Sequence, residues 1–491
     1  MIASARRTQA ALDPLCLLSG VELARRIRGG QLTSRAAVEA HIARIDAVNP
    51  VINAVVAARY AQARAEADAA DARIAATPAG ERDGLPPYLG VPCTIKECFA
   101  LTGMPQSSGL VARKDFIADC DATTVARLRA AGAIPLGVTN VSELCMWYES
   151  NNRVYGRTNN PYDPSRIVGG SSGGEGAIIG AGGSPFGLGS DVGGSIRMPA
   201  FFNGVFGHKP TGGTVPGSGQ YPMAQGEATR IVATGPLARR AEDLMPLLRI
   251  LAGPDGLDAG VLATKLGDPA TVRLDQLTIL DVADDGVNPV HPELRQAQRR
   301  AADALGDAGA RLRRVRFATL RRSFDIWSST LGTADPQSFS VLLGNGRPTR
   351  GALELLKWAV RRSPHTLPAI ALAMIEKINH VAPARAARFV ELGKKFRAEL
   401  LEELGDGVML YPSHPLPAPK HYSPLRTPLA FVYTAIINVM QFPATQVPLG
   451  LSSQGLPLGV QVVAGPGRDH VSIAVAQSLE TAFGGWVPPP T

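Results

Sequence analysis

The chain has 491 residues and is 45% hydrophobic, enough for one large or two ordinary globular domains with a substantial core. Fifty basic residues against 42 acidic ones give a net charge of +8, but the charges are interspersed rather than blocked; this argues against a nucleic-acid surface and leaves a membrane surface open. The N-terminal MIASARRTQAALDPLC has no apolar run behind its arginines, and no stretch reaches about 18 uninterrupted apolar residues, so neither a signal peptide nor a spanning helix is expected.

In chain order, Gly20 to Gly29 and Ser34 to Val48 read as short helices, the second capped by Thr33 or Ser34, and alanine-rich Val55 to Ala76 as a longer solvated helix. A Pro/Gly-rich break at Pro78 to Pro87 leads into LGVPCTIKE, a buried strand ending at Lys96. Lysine is mostly exposed, so a surface lysine closing the strand is the plain reading. A desolvated lysine, however, has a depressed pKa and can accept a proton from a hydroxyl. Five widely spaced cysteines, Cys16, Cys93, Cys98, Cys120 and Cys145, show neither CxxC nor His-paired spacing. They predict reduced thiols, a cytoplasmic protein and no metal site.

The densest chemistry lies in Gly169 to Pro199, GGSSGGEGAIIGAGGSPFGLGSDVGGSIRMP. Glycine has no Cβ, so Gly193 and Gly194 can turn tightly and aim the N–H groups from Val192 to Ser195 at one point. That point suits the oxyanion formed if Ser195 attacks a carbonyl. Core-type residues such as Ile178, Phe186 and Ile196 interrupt the run and speak against a linker. Neither GxGxxG nor a lysine-bearing phosphate loop occurs here, so no nucleotide cofactor is expected. GGSSG around Ser171 also fits the GxSxG nucleophile elbow, but the preceding NNPYDPSRIV is too proline-rich for the strand that elbow needs.

Three ordered motifs, GVPCTIKE around Lys96, GGSSGGEGA around Ser171 and GSDVGGSIRMPA around Ser195, resemble the amidase signature family of Ser-Ser-Lys hydrolases. The near-continuous likeness of GGSSGGEGA through GHKPT is to its fatty acid amide hydrolase branch. The resemblance implies one α/β domain over residues 1–491, a mixed central sheet wrapped by helices, with the catalytic core in 80–250. It also implies Ser195 as nucleophile, Ser171 as a bridging serine next to a cis peptide, and Lys96 as base. Val192, Gly193 and Gly194 would form the oxyanion hole, and Asp191 and Arg197 a supporting ion pair whose plain reading is structural. Cys145, Met146 and Tyr148 fall at the wall of the acyl groove. His208 has no role in a Ser-Lys mechanism and reads as structural.

Ala241 to Gly253 reads as a helix, Leu274 to Val282 as a strand, and the interval from about 285 to 345 as a helix with a short basic strand. Gly351 to Ile378 gives two apolar helical pieces split at Ser363-Pro364, each too short to cross a bilayer, with Lys357, Arg361 and Arg362 beside Trp358. It resembles the hydrophobic cap by which that branch sits on membranes; a hairpin on the core or at a homodimer interface is the plain alternative. Val408 to Pro412, Gln446 to Leu449 and Leu458 to Val463 read as strands, and Leu429 to Met440 as a buried helix whose Thr434 and Ile437 face either a channel or the core. The activity the resemblance implies is hydrolysis of carboxylic amides to acid and amine, with N-acyl amides of fatty acids as the preferred class. A small-amide or aryl-amide amidase, the glutamine-hydrolysing subunit of a tRNA amidotransferase, and a non-catalytic lipid-binding protein are the alternatives.

Overall fold

The computed structural model describes residues 12–379 and 383–490. Among them runs an 11-stranded mixed sheet. Its strands, in spatial order, are Val55–Ala58, Ile134–Thr139, Pro92–Lys96, Phe186–Asp191, Ala233–Ala238, Phe206–Lys209, Ala444–Leu451, Pro457–Ala464, Val408–Tyr411, Thr278–Asp281 and Arg311–Arg314. The inner segments IPLGVT and PLGVQVVA are buried throughout, as their near-continuous apolar sequences require of strands covered on both faces. At one edge RLRR is exposed along its length, and its arginines discourage pairing with another chain.

Two features of the sheet position the site. Pro92–Lys96 runs parallel to Phe186–Asp191, with Thr94 opposite Gly187 and Ile95 opposite Leu188. Parallel neighbours end on the same side, so Lys96 and the loop that follows Asp191 emerge together. The second feature is the short buried helix Gly173–Gly180, which follows Ser171 directly and packs in the core cluster of Ile178, Ile179, Ile196 and Leu237. Its glycines allow that approach: a Cβ on Gly174 would lie 2.3 Å from the Asn140 backbone nitrogen, and one on Gly176 2.7 Å from the Pro199 carbonyl oxygen.

The stretch expected as one helix from Val55 divides instead into the strand Val55–Ala58 and the helix Tyr60–Ala76. Asn53 adopts a left-handed φ of 48°, and the β-branched pair Val55-Val56 then pairs antiparallel with Ile134–Thr139. The helix Ser34–Ile52 is capped by Thr33, whose hydroxyl accepts from the Ala36 N–H at 3.1 Å. The apolar pieces of 351–378 form the helices Gly351–Ala359 and Leu367–Asn379, and Val432–Val439 is the buried helix expected near the C-terminus.

Candidate active site

Lys96 is fully buried at its strand end. Its Nζ donates to Ser171 Oγ at 2.8 Å and approaches Ser190 Oγ at 2.9 Å. Behind it, the Glu175 carboxyl accepts from the hydroxyls of Thr94 at 2.7 Å and Thr139 at 2.9 Å. Burial raises Glu175 to about 8 against those hydrogen bonds, so at neutral pH it is mostly protonated and sets no full negative charge beside the lysine.

Ser171 follows a cis peptide at Gly170–Ser171. The segment before it, residues 158–170, contains no strand, so the strand-turn-helix of a nucleophile elbow is not formed there. Ser195 instead lies between the strand Phe186–Asp191 and the helix Arg197–Phe202. The Ser172 N–H donates to the Ser195 carbonyl at 3.2 Å, which ties the two serine loops side by side. Both hydroxyls open on one cavity of about 820 Å³. Among the described residues the Ser195 hydroxyl has no partner within the chain, so it faces the cavity unengaged.

The turn Val192–Gly194 is held by its carbonyls. Asn438 Nδ2 donates to the Asp191 oxygen at 2.7 Å, Trp327 Nε1 to that of Val192 at 2.9 Å, and Thr434 Oγ1 to that of Gly193 at 2.7 Å. In a trans peptide the C=O and the next N–H point opposite ways, so anchoring these oxygens aims the following N–H groups away from their anchors. The Gly194 N–H nonetheless turns back to Asp191 Oδ1 at 2.6 Å, so it is not available to an oxyanion, contrary to the expectation from sequence. Gly194 has φ +119°, and a Cβ there would lie 2.0 Å from Thr434 Oγ1. Among the described residues the N–H groups of Val192, Gly193 and Ser195 have no acceptor within the chain.

Asp191 and Arg197 form a fully buried ion pair at 3.0 Å. Burial works to raise Asp191, but the adjacent guanidinium overrides it and holds the carboxyl down at about 2. The same carboxylate accepts from the N–H groups of Gly194 and Ile196, while Arg197 reaches Gln461, Asn438 and the Thr434 carbonyl. The pair is therefore a staple that fixes the serine loop against the helix Val432–Val439. Thr434 belongs to this bracing and Ile437 to the core; neither lines the cavity. His208 is buried between Thr445 and Asp469, remote from the two serines in its bonding, as its structural reading requires.

Cys145, Met146 and Tyr148 all line the cavity, on a turn in which Leu144 and Cys145 have φ of 52° and 59°. The opposite wall comes from a region that motif reading leaves blank. Helix Ser323–Ala334 contributes Phe324, Trp327 and Leu331, whose i, i+3, i+7 spacing is visible in SFDIWSSTL, and Phe431 packs edge-on against Trp327 at 4.9 Å. Pro368, Leu372 and Ile375 of Leu367–Asn379 close the far end.

A family model described as Amidase matches residues 36–472. The chain belongs to that family. Fatty-acid amide hydrolase 2-A of Danio rerio is 49% identical over 97% of this amidase and 91% of the relative, and fatty-acid amide hydrolase 2 of Homo sapiens is 47% identical over the same shares. The solved structure of 6-aminohexanoate cyclic dimer hydrolase complexed with substrate superposes with a TM-score of 0.80 at 27% identity, covering 97% of this chain and 99% of that one. The amidase-signature fold, with its mixed central sheet, is thus the fold of this chain.

Proposed function

We propose that this amidase hydrolyses N-acyl amides of fatty acids to acid and amine through a Ser195 acyl-enzyme. Ser195 Oγ attacks the amide carbonyl and its proton passes to Ser171, whose own proton moves to Lys96. The developing oxyanion is met by the N–H groups of Val192, Gly193 and Ser195, already aimed and costing no reorganisation. Lys96 then returns the proton through Ser171 to the leaving amine, and water releases the acid from Ser195 by the reverse relay.

The observation that carries the substrate class is the cavity itself. About 820 Å³ in volume and walled by Met146, Phe324, Trp327, Leu331, Leu372 and Phe431, it offers a long acyl chain an apolar lining that a small amide would leave unfilled. A buried methylene is worth about 0.8 kcal/mol, roughly fourfold in kcat/KM, until the chain outgrows the wall. Assayed across acyl lengths from acetamide to oleamide, kcat/KM is expected to climb by several orders of magnitude. A flat or falling profile would instead favour a small-amide or aryl-amide hydrolase.

The cavity's far end also supports a peripheral membrane contact. Ile375, Leu425 and Leu429 line the cavity and are at the same time exposed, and Leu356 on the neighbouring helix Gly351–Ala359 and Val360 just past its end are 69% and 65% exposed. Among the described residues no helix is long and apolar enough to cross a membrane. A helical hairpin resting at the lipid boundary would let a membrane-dissolved amide enter without crossing water, with Arg361 and Arg362 among the headgroups. Lys357 sits 2.7 Å from Glu354, which orients it at the same end. Each basic residue near an anionic surface contributes about 1 kcal/mol. Replacing Lys357, Arg361 and Arg362 by glutamate is therefore expected to move the protein from the pellet to the supernatant in liposome sedimentation, while short soluble amides are still hydrolysed. Wild type that stays in the supernatant at low salt rejects the contact and leaves the hairpin as packing for the core or for a second copy.

A further inference from the structure

Glu143 carries a buried carboxyl that the mechanism does not use; its side chain is 1% exposed. A carboxylate taken out of water is costly unless it is fully hydrogen-bonded. Among the described residues its partners all come from a segment more than 220 residues further on: His365 Nδ1 lies 2.8 Å from Oε1, and Thr366 donates to Oε2 through its N–H at 2.7 Å and its hydroxyl at 2.8 Å. The carboxyl thus joins two walls of the cavity. Glu143 opens the turn Glu143–Cys145, from which Leu144, Cys145 and Met146 reach the cavity, and Thr366 stands directly before the helix Leu367–Asn379, which supplies Pro368, Leu372 and Ile375. Beside the link, Leu144 packs with Ala369 and Ala373 in a small cluster apart from the main core.

The two sides of the link are not equally held. The turn has anchors of its own, with the Leu144 N–H on the Ser108 carbonyl at 2.8 Å and the Trp147 N–H on Ser142 Oγ at 3.2 Å. Behind the start of the helix the ties stay within the hairpin: the His365 N–H donates to Ser363 Oγ at 3.2 Å, and Ser363 Oγ to Glu354 Oε2 at 2.7 Å. Near the end of the helix, Glu376 accepts from the N–H groups of Phe339 at 2.7 Å and Ser340 at 2.9 Å. Without Glu143 the helix keeps that second tie and is free to swing about it, carrying Pro368 and Leu372 away from the turn.

We propose that Glu143 is a positioning residue for long acyl chains: its carboxyl fixes the start of Leu367–Asn379 against the turn beside the serines and so sets how closely the far end of the cavity fits the chain. The proposal rests on reading the cavity as an acyl pocket. Apolar contact between Leu144 and the two alanines is non-directional and does not by itself fix where the helix stands. Hydrogen bonds of 2.7 to 2.8 Å to two adjacent residues do, because they weaken steeply with distance and angle. Truncating the side chain leaves the buried Thr366 N–H and its neighbours without an acceptor, which favours any displacement of the helix that finds them water. Glutamine keeps the length of the side chain and an oxygen for Thr366. Aspartate keeps the charge and stops one methylene short.

The test measures kcat and KM for octadecanamide and for hexanamide, whose chain is a third as long, in wild type, Glu143→Ala, Glu143→Gln and Glu143→Asp. In Glu143→Ala, kcat/KM for octadecanamide is expected to fall about tenfold or more, as releasing two methylenes from the wall would do, and mostly through KM, while for hexanamide it stays within about threefold of wild type. Glu143→Gln should recover most of the loss and Glu143→Asp little of it, because reach rather than charge carries the effect. His365→Ala cuts the link from the other side and leaves Thr366 in place, so it should move octadecanamide in the same direction by a smaller factor; it decides the matter if Glu143→Ala does not fold. Equal losses on the two amides, a loss confined to kcat, or unchanged octadecanamide kinetics in the deciding variant overturn the proposal. If wild type hydrolyses hexanamide but not octadecanamide, the acyl-pocket reading has failed first and the proposal falls with it.

Discussion

Alanine at position 195 is expected to abolish both turnover and labelling by a fluorophosphonate, with a loss in kcat on the order of 10⁴-fold or more. The expectation comes from the way the loop is held. Ser195 is the hydroxyl that faces the cavity unengaged, and it stands beside N–H groups whose carbonyl neighbours are anchored by Trp327, Thr434 and Asn438. A tetrahedral phosphorus adduct places its oxygen where a tetrahedral carbon would, so the same donors stabilise both. The substitution removes one small, nearly buried hydroxyl and leaves the Asp191–Arg197 staple intact, so the variant should keep its thermal stability. Mass spectrometry of labelled wild type decides the assignment: a tag on the peptide containing Ser171 instead of Ser195 would reverse the roles of the two serines.

What the chain points to before folding is a candidate chemistry, because the residues proposed to carry it are written in short local runs. Lys96, Ser171 and Ser195 sit in motifs whose glycines and small residues have few other uses, and the structure gathers their side chains at the ends of two parallel strands. The availability of each N–H is less legible. The glycine pair made every amide of the turn look free, but the Asp191 carboxylate folds back onto Gly194, a contact set by the ion pair with Arg197 rather than by the turn itself. The far wall of the cavity is less legible still. Phe324, Trp327 and Leu331 show helical spacing, which announces an apolar face and not what the face covers. Their function depends on Phe431, a hundred residues further on, and on the register of a sheet whose neighbouring strands are far apart in sequence. The strand Val55–Ala58 escaped for a related reason: its alanines favour helix, and only the partner strand Ile134–Thr139 makes the extended form better.

Lys96→Ala is expected to lower kcat/KM by a factor on the order of a hundred or more, the range over which a positioned general base acts. The lysine is well placed for that work and poorly placed for any other. It is fully buried, its Nζ lies within 3 Å of both Ser171 Oγ and Ser190 Oγ, and the nearby Glu175 is mostly protonated near neutrality, so no full carboxylate partner makes it one half of a structural ion pair. Truncating it leaves Ser171 without a proton acceptor, so Ser195 retains its oxyanion donors but not its activation. Two readouts separate this role from mere support of the fold. Activity that depends on an unprotonated base rises with pH, and that rising limb of kcat/KM should be absent in the variant although its melting temperature stays near that of wild type. Ser190→Ala, which removes one contact to the amine but leaves the Ser171 contact, should keep the limb and lose far less rate. A Lys96→Ala enzyme with the wild-type pH profile would show that the proton of Ser195 leaves by another route.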